Sequence, residues 1–385
     1  MTRLDRVALR EIRLPLKEPF RISSGVVTER RICLLELRDT DGQTTWAECV
    51  AGEQPNYSAE TIDTAWLALR EWIVPRAFDS DIGDPARLYA VLSRGVCGHN
   101  MAKAAVEMGC WALAAVREGV SLARVLGGTR EGTRAAIVTG ISLGIQATPA
   151  ELVERALRAR ADGFRKIKLK IAPGMDVPFV AAVREALGPD AAIMADANSS
   201  YTPADAAHLQ ALDRYGLIMI EQPLARDDLL RHAALQRLLA TPLCLDESIT
   251  DVDRAADMIE LGAGRIINIK PGRVGGFAQA LAIHDLAAQH GIPVWCGGML
   301  ESGVGRAYNV ALASLPNFSL PSDLSPSSRY WERDVVTPEW TMDADGLVHV
   351  PLDVPGLGVA VDMDRIDYLT VRRQVLSPRA RAVAA

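Results

Sequence analysis

Five short apolar runs between residues 166 and 270 end in an ionisable side chain: Lys166-Ile167-Lys168-Leu169-Lys170, Ala192-Ile193-Met194-Ala195-Asp196, Leu217-Ile218-Met219-Ile220-Glu221, Leu243-Cys244-Leu245-Asp246 and Ile266-Ile267-Asn268-Ile269-Lys270. Their last residues recur at steps of 26, 25, 25 and 24. Each step is the length of a strand, a turn and an amphipathic helix, and helical patterns fill the intervals at 177–187, 204–215, 228–239 and 253–261. Outward from this ladder, 136–142, 294–297 and 318–320 read as three further strands, making eight. Strands alternating with helices call for a parallel sheet covered by helices. An open doubly wound sheet would carry a phosphate-binding glycine fingerprint after its first strand, whereas Gly272-Arg273-Val274-Gly275-Gly276 follows the sixth and has the wrong spacing. The pattern therefore predicts an α/β fold with a closed barrel.

The flanks read differently. The first 50 residues alternate with period two, as in Val7 to Leu14 and Ile32 to Leu37, and predict a small antiparallel meander turned at Asp39-Thr40-Asp41-Gly42. Residues 58–126 change to helical period, strongest over 101–116, which makes an α+β unit. The linker Gly127-Gly128-Thr129-Arg130-Glu131-Gly132 places a boundary, giving 1–130, a barrel over 131–325, and a tail, 326–385, that returns to the first unit.

The chain has 385 residues, 49% hydrophobic and 23% charged, with 42 Lys+Arg against 48 Asp+Glu and a net charge of −6. That is ordinary globular composition and lacks the basic patch that nucleic-acid binding uses. No transmembrane stretch or signal peptide is legible, so the chain reads as cytoplasmic. Cys33, Cys49, Cys97, Cys110, Cys244 and Cys296 are scattered singly and read as free buried thiols.

In a barrel, one ionisable group per unit gathers at the C-terminal face of the strands, where active sites form. Asp196, Glu221 and Asp246 would repel one another there unless a cation intervened. All-oxygen ligation favours Mg²⁺, with Mn²⁺ second. Lys170 and Lys270 bracket these acids from opposite sides, an arrangement suited to removing a proton from carbon and returning it. A substrate carboxylate on the metal would take up the developing charge. Lys168 points the same way as Lys170 and is placed to hold that carboxylate. The metal, Lys168 and Arg273 are expected to lower the pKa of a lysine base.

At these residues the chain resembles the enolase superfamily in its muconate-lactonising subgroup, through 166–170, Asp196-Ala197-Asn198, Glu221-Gln222-Pro223, Leu245-Asp246-Glu247-Ser248 and 268–276. The pairing of a Lys base with Mg²⁺ is a known pattern of enolase-type sites. More narrowly, His99-Asn100-Met101-Ala102-Lys103, Trp295-Cys296-Gly297-Gly298-Met299-Leu300-Glu301-Ser302-Gly303 and Leu320-Pro321-Ser322-Asp323 resemble the N-acylamino acid racemase and o-succinylbenzoate synthase family.

The resemblance implies a modified (β/α)₇β barrel under an α+β capping domain, and Asn198 beside Lys168 at the substrate carboxylate. It also implies that Ser142, Gly298 and Met299 line the acyl end, that Phe20 and Tyr57 close over the side chain from the cap, and that the assembly is a symmetric homo-oligomer. Ser24 stands where a second aromatic is expected, which leaves that pocket wider or more polar. Arg273, near Lys270, favours two-base racemisation of N-acylated, N-succinyl above all, amino acids. One-base synthesis of o-succinylbenzoate is the alternative at the same residues. Muconate cycloisomerase and dipeptide epimerase are weaker ones, since Gly297-Gly298-Met299 is not the aspartate-rich motif a dipeptide amino group would need. A barrel that kept its fold but not its chemistry would not retain acids and bases at all five strand ends.

Overall fold

The structure is a computed structural model, described over residues 2–22, 25–128, 130 and 132–378. The Ser24 position and part of the 127–132 linker lie outside the described residues. Strands β1 (Leu4–Ile22), β2 (Gly25–Asp39) and β3 (Thr44–Cys49) form the expected antiparallel meander, and the late strand Thr370–Leu376 adds to it beside β1. Apolar residues face one another across it, Leu9 opposite Leu35 and Ile12 opposite Ile32, the pairing that stabilises a half-buried sheet. The helix Asn100–Glu118 packs on this sheet. It comes close because Gly109 has no side chain: a Cβ there would stand 2.8 Å from a Leu37 methyl.

The second body begins with β4 (Ala136–Val138) and β5 (Gly140–Leu143), followed by β6 (Lys166–Lys170), β7 (Ala192–Asp196), β8 (Ile220–Glu221), β9 (Leu243–Leu245), β10 (Ile266–Ile269) and β11 (Val294–Cys296). Strands β5 to β11 make one parallel sheet in chain order. Alternation sorts their side chains. Ile167, Leu169, Ile193 and Ile220 pack outward on helices, whereas Met194, Met219, Cys244 and Trp295 fill the interior. Lys166 is interior and fully buried, its ammonium 3.6 Å above the Trp295 ring centre, a desolvated cation–π contact.

The expected eighth strand at 318–320 does not form. The gap is closed a few residues later, where Ser322 and Asp323 donate to Val138 and Cys296 carbonyls at 3.0 and 2.9 Å and Gly140 donates to Ser322 at 2.7 Å. Pro321 has no N–H to give, so only a broken bridge is available. Two other readings also shrink. The helix expected over 204–215 breaks into short 3₁₀ and α turns, and the strand expected from Leu217 is regular only over Ile220–Glu221. Five cysteines are buried, but Cys97 is exposed in the loop before Asn100.

Buried glutamates from the first unit receive helix N-termini of the second. Glu48 accepts from Ser302 and Gly305 N–H and from Ser302 Oγ, and Glu107 accepts from Phe277 and Ala278 N–H at 2.8 and 2.9 Å. Carboxylates suit helix N-termini, where N–H groups lack partners inside the helix. Burial pushes both up nevertheless, Glu48 to about 8 and Glu107 to about 7.

Candidate active site

Strand register builds the mouth. Lys170 lies opposite Asp196, Asp196 opposite Glu221, and Glu221 opposite Cys244, two residues before Asp246. Lys270 follows Ile269, whose partner is Cys296 at the far end of the sheet. The five residues of the ladder thus meet at one end of the barrel, where Lys170 pairs with Asp196, Lys270 with Asp246, and Lys168 links Asp196 to Glu221. Lys170 Nζ is 2.6 Å from Asp196 Oδ2 and 2.6 Å from Asn198 Oδ1. Lys270 Nζ is 2.8 Å from Asp246 Oδ2 and 4.5 Å from the Tyr57 ring centre. Lys168 stands between, 3.0 Å from Asp196, 3.0 Å from Glu221 and 2.9 Å from Asp323. Its ammonium has three donors, and three buried acids use them.

The shifts follow from this pairing. Burial works against the charged forms of Asp196 and Asp246, but Lys170 and Lys168 hold the first low, and Lys270 and Arg273 the second. Glu221 is pushed up to about 8, by burial first and then by the charges of Asp196 and Asp246, against the pull of Lys168. Lys270 corrects an expectation. Burial, the largest single influence, and Lys168 pull its pKa down, but Asp246, Tyr57 and Glu221 together outweigh them and the group is raised. Arg273 donates to Asp246 Oδ1 and makes no contact with Lys270, so its influence runs through the shared acid.

The acids were expected to hold a metal. Among the described residues no trio of His, Cys, Asp or Glu is arranged to hold one as it stands. The reason is visible: Lys168, Lys170 and Lys270 draw the carboxylates toward themselves. The donor chemistry still fits a hard divalent ion. Asp196, Glu221 and Asp246 are buried, offer oxygen alone, and raise one another's proton affinity as Glu221 records.

The remaining expected residues divide. Gly298, Met299, Phe20, Tyr57 and Asn198 line a cavity of about 380 Å³ together with Lys170 and Lys270. Ser142 lines a smaller adjoining one with Phe20 and Gly298. The Tyr57 hydroxyl also donates to Asp246 Oδ1 at 2.8 Å. Asn198, in the left-handed region at φ 42°, also donates to Glu247 at 3.0 Å.

Five supporting residues stand in the motifs quoted from the sequence but had no role assigned there. Asn268, a lone amide inside an apolar strand, donates to Glu221 at 2.7 Å and accepts from Gly297 N–H. Gly297 must be glycine, since a Cβ would stand 2.5 Å from Asn268 and 2.7 Å from Lys270. Gln222 accepts from Asp246 and Ser248 N–H and so fixes the loop carrying Asp246. Asp323 braces Lys166 and Lys168. Glu247 lies beside Asp246 and is pushed up to about 7 by burial and by the neighbouring acids.

The fold, a parallel curled sheet under a capping domain, is that of an enzyme of the metal-dependent racemase and lyase class. Residues 5–127 match the mandelate racemase/muconate lactonizing enzyme N-terminal domain, and residues 151–365 match the enolase C-terminal domain-like family. The chain belongs to the enolase superfamily through its mandelate racemase/muconate lactonizing enzyme branch, whose enzymes depend on a divalent metal.

It is 50% identical to an o-succinylbenzoate synthase of Geobacillus kaustophilus over 95% of this chain and 96% of that one. It is 46% identical to an N-succinylamino acid racemase of Thermus thermophilus over 97% and 99%. The crystal structure of an enolase-superfamily member from Listeria innocua superposes with a TM-score of 0.93 at 37% identity, covering 98% of this chain and all of that one. Among the described residues no helix is long and apolar enough to cross a membrane.

Proposed function

We propose that this protein racemises N-succinylamino acids by proton transfer between two lysines. The observation that carries the reading is that Lys170 and Lys270, from strands separated by β7, β8 and β9, border one cavity with Asn198, Gly298 and Met299. An α-carbon held between them presents its proton to one Nζ, and the enediolate is reprotonated by the other from the opposite side. Asp196, Glu221 and Asp246 would hold Mg²⁺ (or Mn²⁺), which supplies fixed positive charge at the substrate carboxylate. Lys168 and Asn198 orient that carboxylate, Ser142, Gly298 and Met299 receive the acyl group, and Phe20 and Tyr57 exclude water from above. Arg273 fixes Asp246, and through it Lys270.

The second reading is o-succinylbenzoate synthesis, with Lys170 as sole base. It is favoured by the hold on Lys270, whose ammonium is paired with Asp246 and set over the Tyr57 ring as a fixed cation. Both relatives' names support one activity each, and one site can serve both. Our reading takes 1–130 as the cap, 131–325 as the barrel and 326–385 as the tail completing the cap, in a cytoplasmic homo-oligomer. The test supplies Mg²⁺ with N-succinyl-L-amino acids in D₂O, and the o-succinylbenzoate precursor in parallel. α-Deuterium uptake with loss of optical rotation supports racemisation; dehydration alone would make the second reading the function.

A further inference from the structure

Lys168 has three acidic partners, and they stand on two sides of it. Asp196 and Glu221, each at 3.0 Å, come from β7 and β8. Asp323, at 2.9 Å, comes from the bridge that closes the sheet between β11 and β5. Strand β6, which carries Lys168, separates the two sides.

Asp323 is fixed where it stands. It is 6% exposed, its own N–H donates to the Cys296 carbonyl at 2.9 Å, and Gly140 N–H donates to the Ser322 carbonyl at 2.7 Å. The fully buried Lys166 lies 3.1 Å from its other oxygen. Burial pushes the Asp323 carboxyl up, but Lys166 and Lys168 hold it down at about 2, so it stays charged. The Trp295 ring centre, 3.6 Å from Lys166 Nζ and 5.0 Å from Lys168 Nζ, favours cations in this part of the barrel.

A divalent ion at the mouth needs the oxygens that Lys168 holds, and a second cation beside it on Asp196 and Glu221 is repelled. Lys168 is 4% exposed and has no route to water. A buried ammonium without an acceptor is costly. Of its three partners, only Asp323 lies outside the ligand set.

We propose that Asp323 is a positioning residue for the metal site: it retains Lys168 when Asp196 and Glu221 turn to a divalent ion, and so sets how tightly that ion binds. The inference rests on the reading of Asp196, Glu221 and Asp246 as metal ligands, and goes beyond it in naming the residue that frees two of them.

The test titrates Mn²⁺ into the protein without substrate and reads free Mn²⁺ by electron paramagnetic resonance. Asp323→Asn should raise Kd by on the order of ten- to hundredfold, and Asp323→Glu, which keeps the charge, should recover most of that loss. Lys168→Met removes the competitor and should bind Mn²⁺ more tightly than the native protein. In that background Asp323→Asn should change Kd by less than about threefold. The double variant removes a buried ion pair whole, which folds tolerate better than the loss of one partner. If Asp323→Asn alone does not fold, the comparison of Lys168→Met with the double variant decides, and a larger loss there overturns the proposal. An unchanged Kd in Asp323→Asn, or the same fold-loss with Lys168 present and absent, would also overturn it, the latter because it reports only the field of a buried charge. No Mn²⁺ binding by the native protein would sink the ligand reading itself and this inference with it.

Discussion

The two lysines of the mouth are built differently. Lys170 is held entirely from within the barrel, by Asp196 on the neighbouring strand and by Asn198 in the loop after it. Lys270 is held by Asp246, whose other oxygen is taken by Arg273 and by Tyr57, a residue of the cap side. Under the two-lysine reading, one base is therefore a property of the barrel, and the other of the barrel with its cap in place. Segments that close over a site commonly complete its catalytic groups. Here the completion falls on one side only.

The widest test of this contrast removes each base in turn. Lys170→Ala and Lys270→Ala should each lower racemisation by on the order of 10²- to 10⁴-fold, read as α-proton exchange by NMR. Near-native exchange in Lys270→Ala would leave Lys170 as sole base. Stripping divalent metal with a chelator should abolish turnover, and Mg²⁺ or Mn²⁺ should restore it. Full activity in the chelated protein would mean that Lys168 alone supplies the charge the acids demand.

A sharper comparison separates the two sides. Tyr57→Phe deletes a hydrogen bond to a buried carboxylate and should slow the step that uses Lys270 by roughly tenfold or more, while Asn198→Ala should slow the Lys170 step. Initial exchange rates measured from each enantiomer separately should therefore fall unequally, and in opposite senses for the two variants. Equal effects on both enantiomers would show that the mouth moves as one unit.

The smallest effect concerns the joints between the units. Glu48 and Glu107 have folded pKa values near 8 and 7, above the usual 4.5. Between about pH 4.5 and 8 the folded protein thus keeps protons that the unfolded chain has released, and stability falls as pH rises through that window. Thermal melts should lose a few degrees from pH 5.5 to 8.5, and Glu107→Gln should flatten the profile. A melting temperature that rises over that range would show the helix N-termini holding these groups as carboxylates.

What was legible in the sequence was whatever repeats. The steps from Lys170 to Lys270 recur because each strand of a parallel barrel needs one helix to return, so the C-terminal ends of the strands come at even spacing. Residues that act through another side chain leave no such mark. Asn268 showed only as an amide in Ile266-Ile267-Asn268-Ile269, and its hold on Glu221 depends on a neighbouring strand. Asp323 sits past Pro321 in a bridge with no ladder pattern of its own, yet it carries Lys166 and Lys168. The direction of the Lys270 shift was misjudged for the same reason. Sequence showed the nearby cations, but not that Asp246 would lie 2.8 Å away.

The central claim is that protons reach and leave the α-carbon on two sides. N-Succinyl-L-phenylalanine in D₂O with Mg²⁺, sampled early and resolved by enantiomer, tests it directly. Two separate bases predict solvent deuterium in the D enantiomer from the first turnovers, because the proton it receives comes from the other lysine. A newly formed D enantiomer that retains the protium of its L precursor would contradict the account and place a single base at the site.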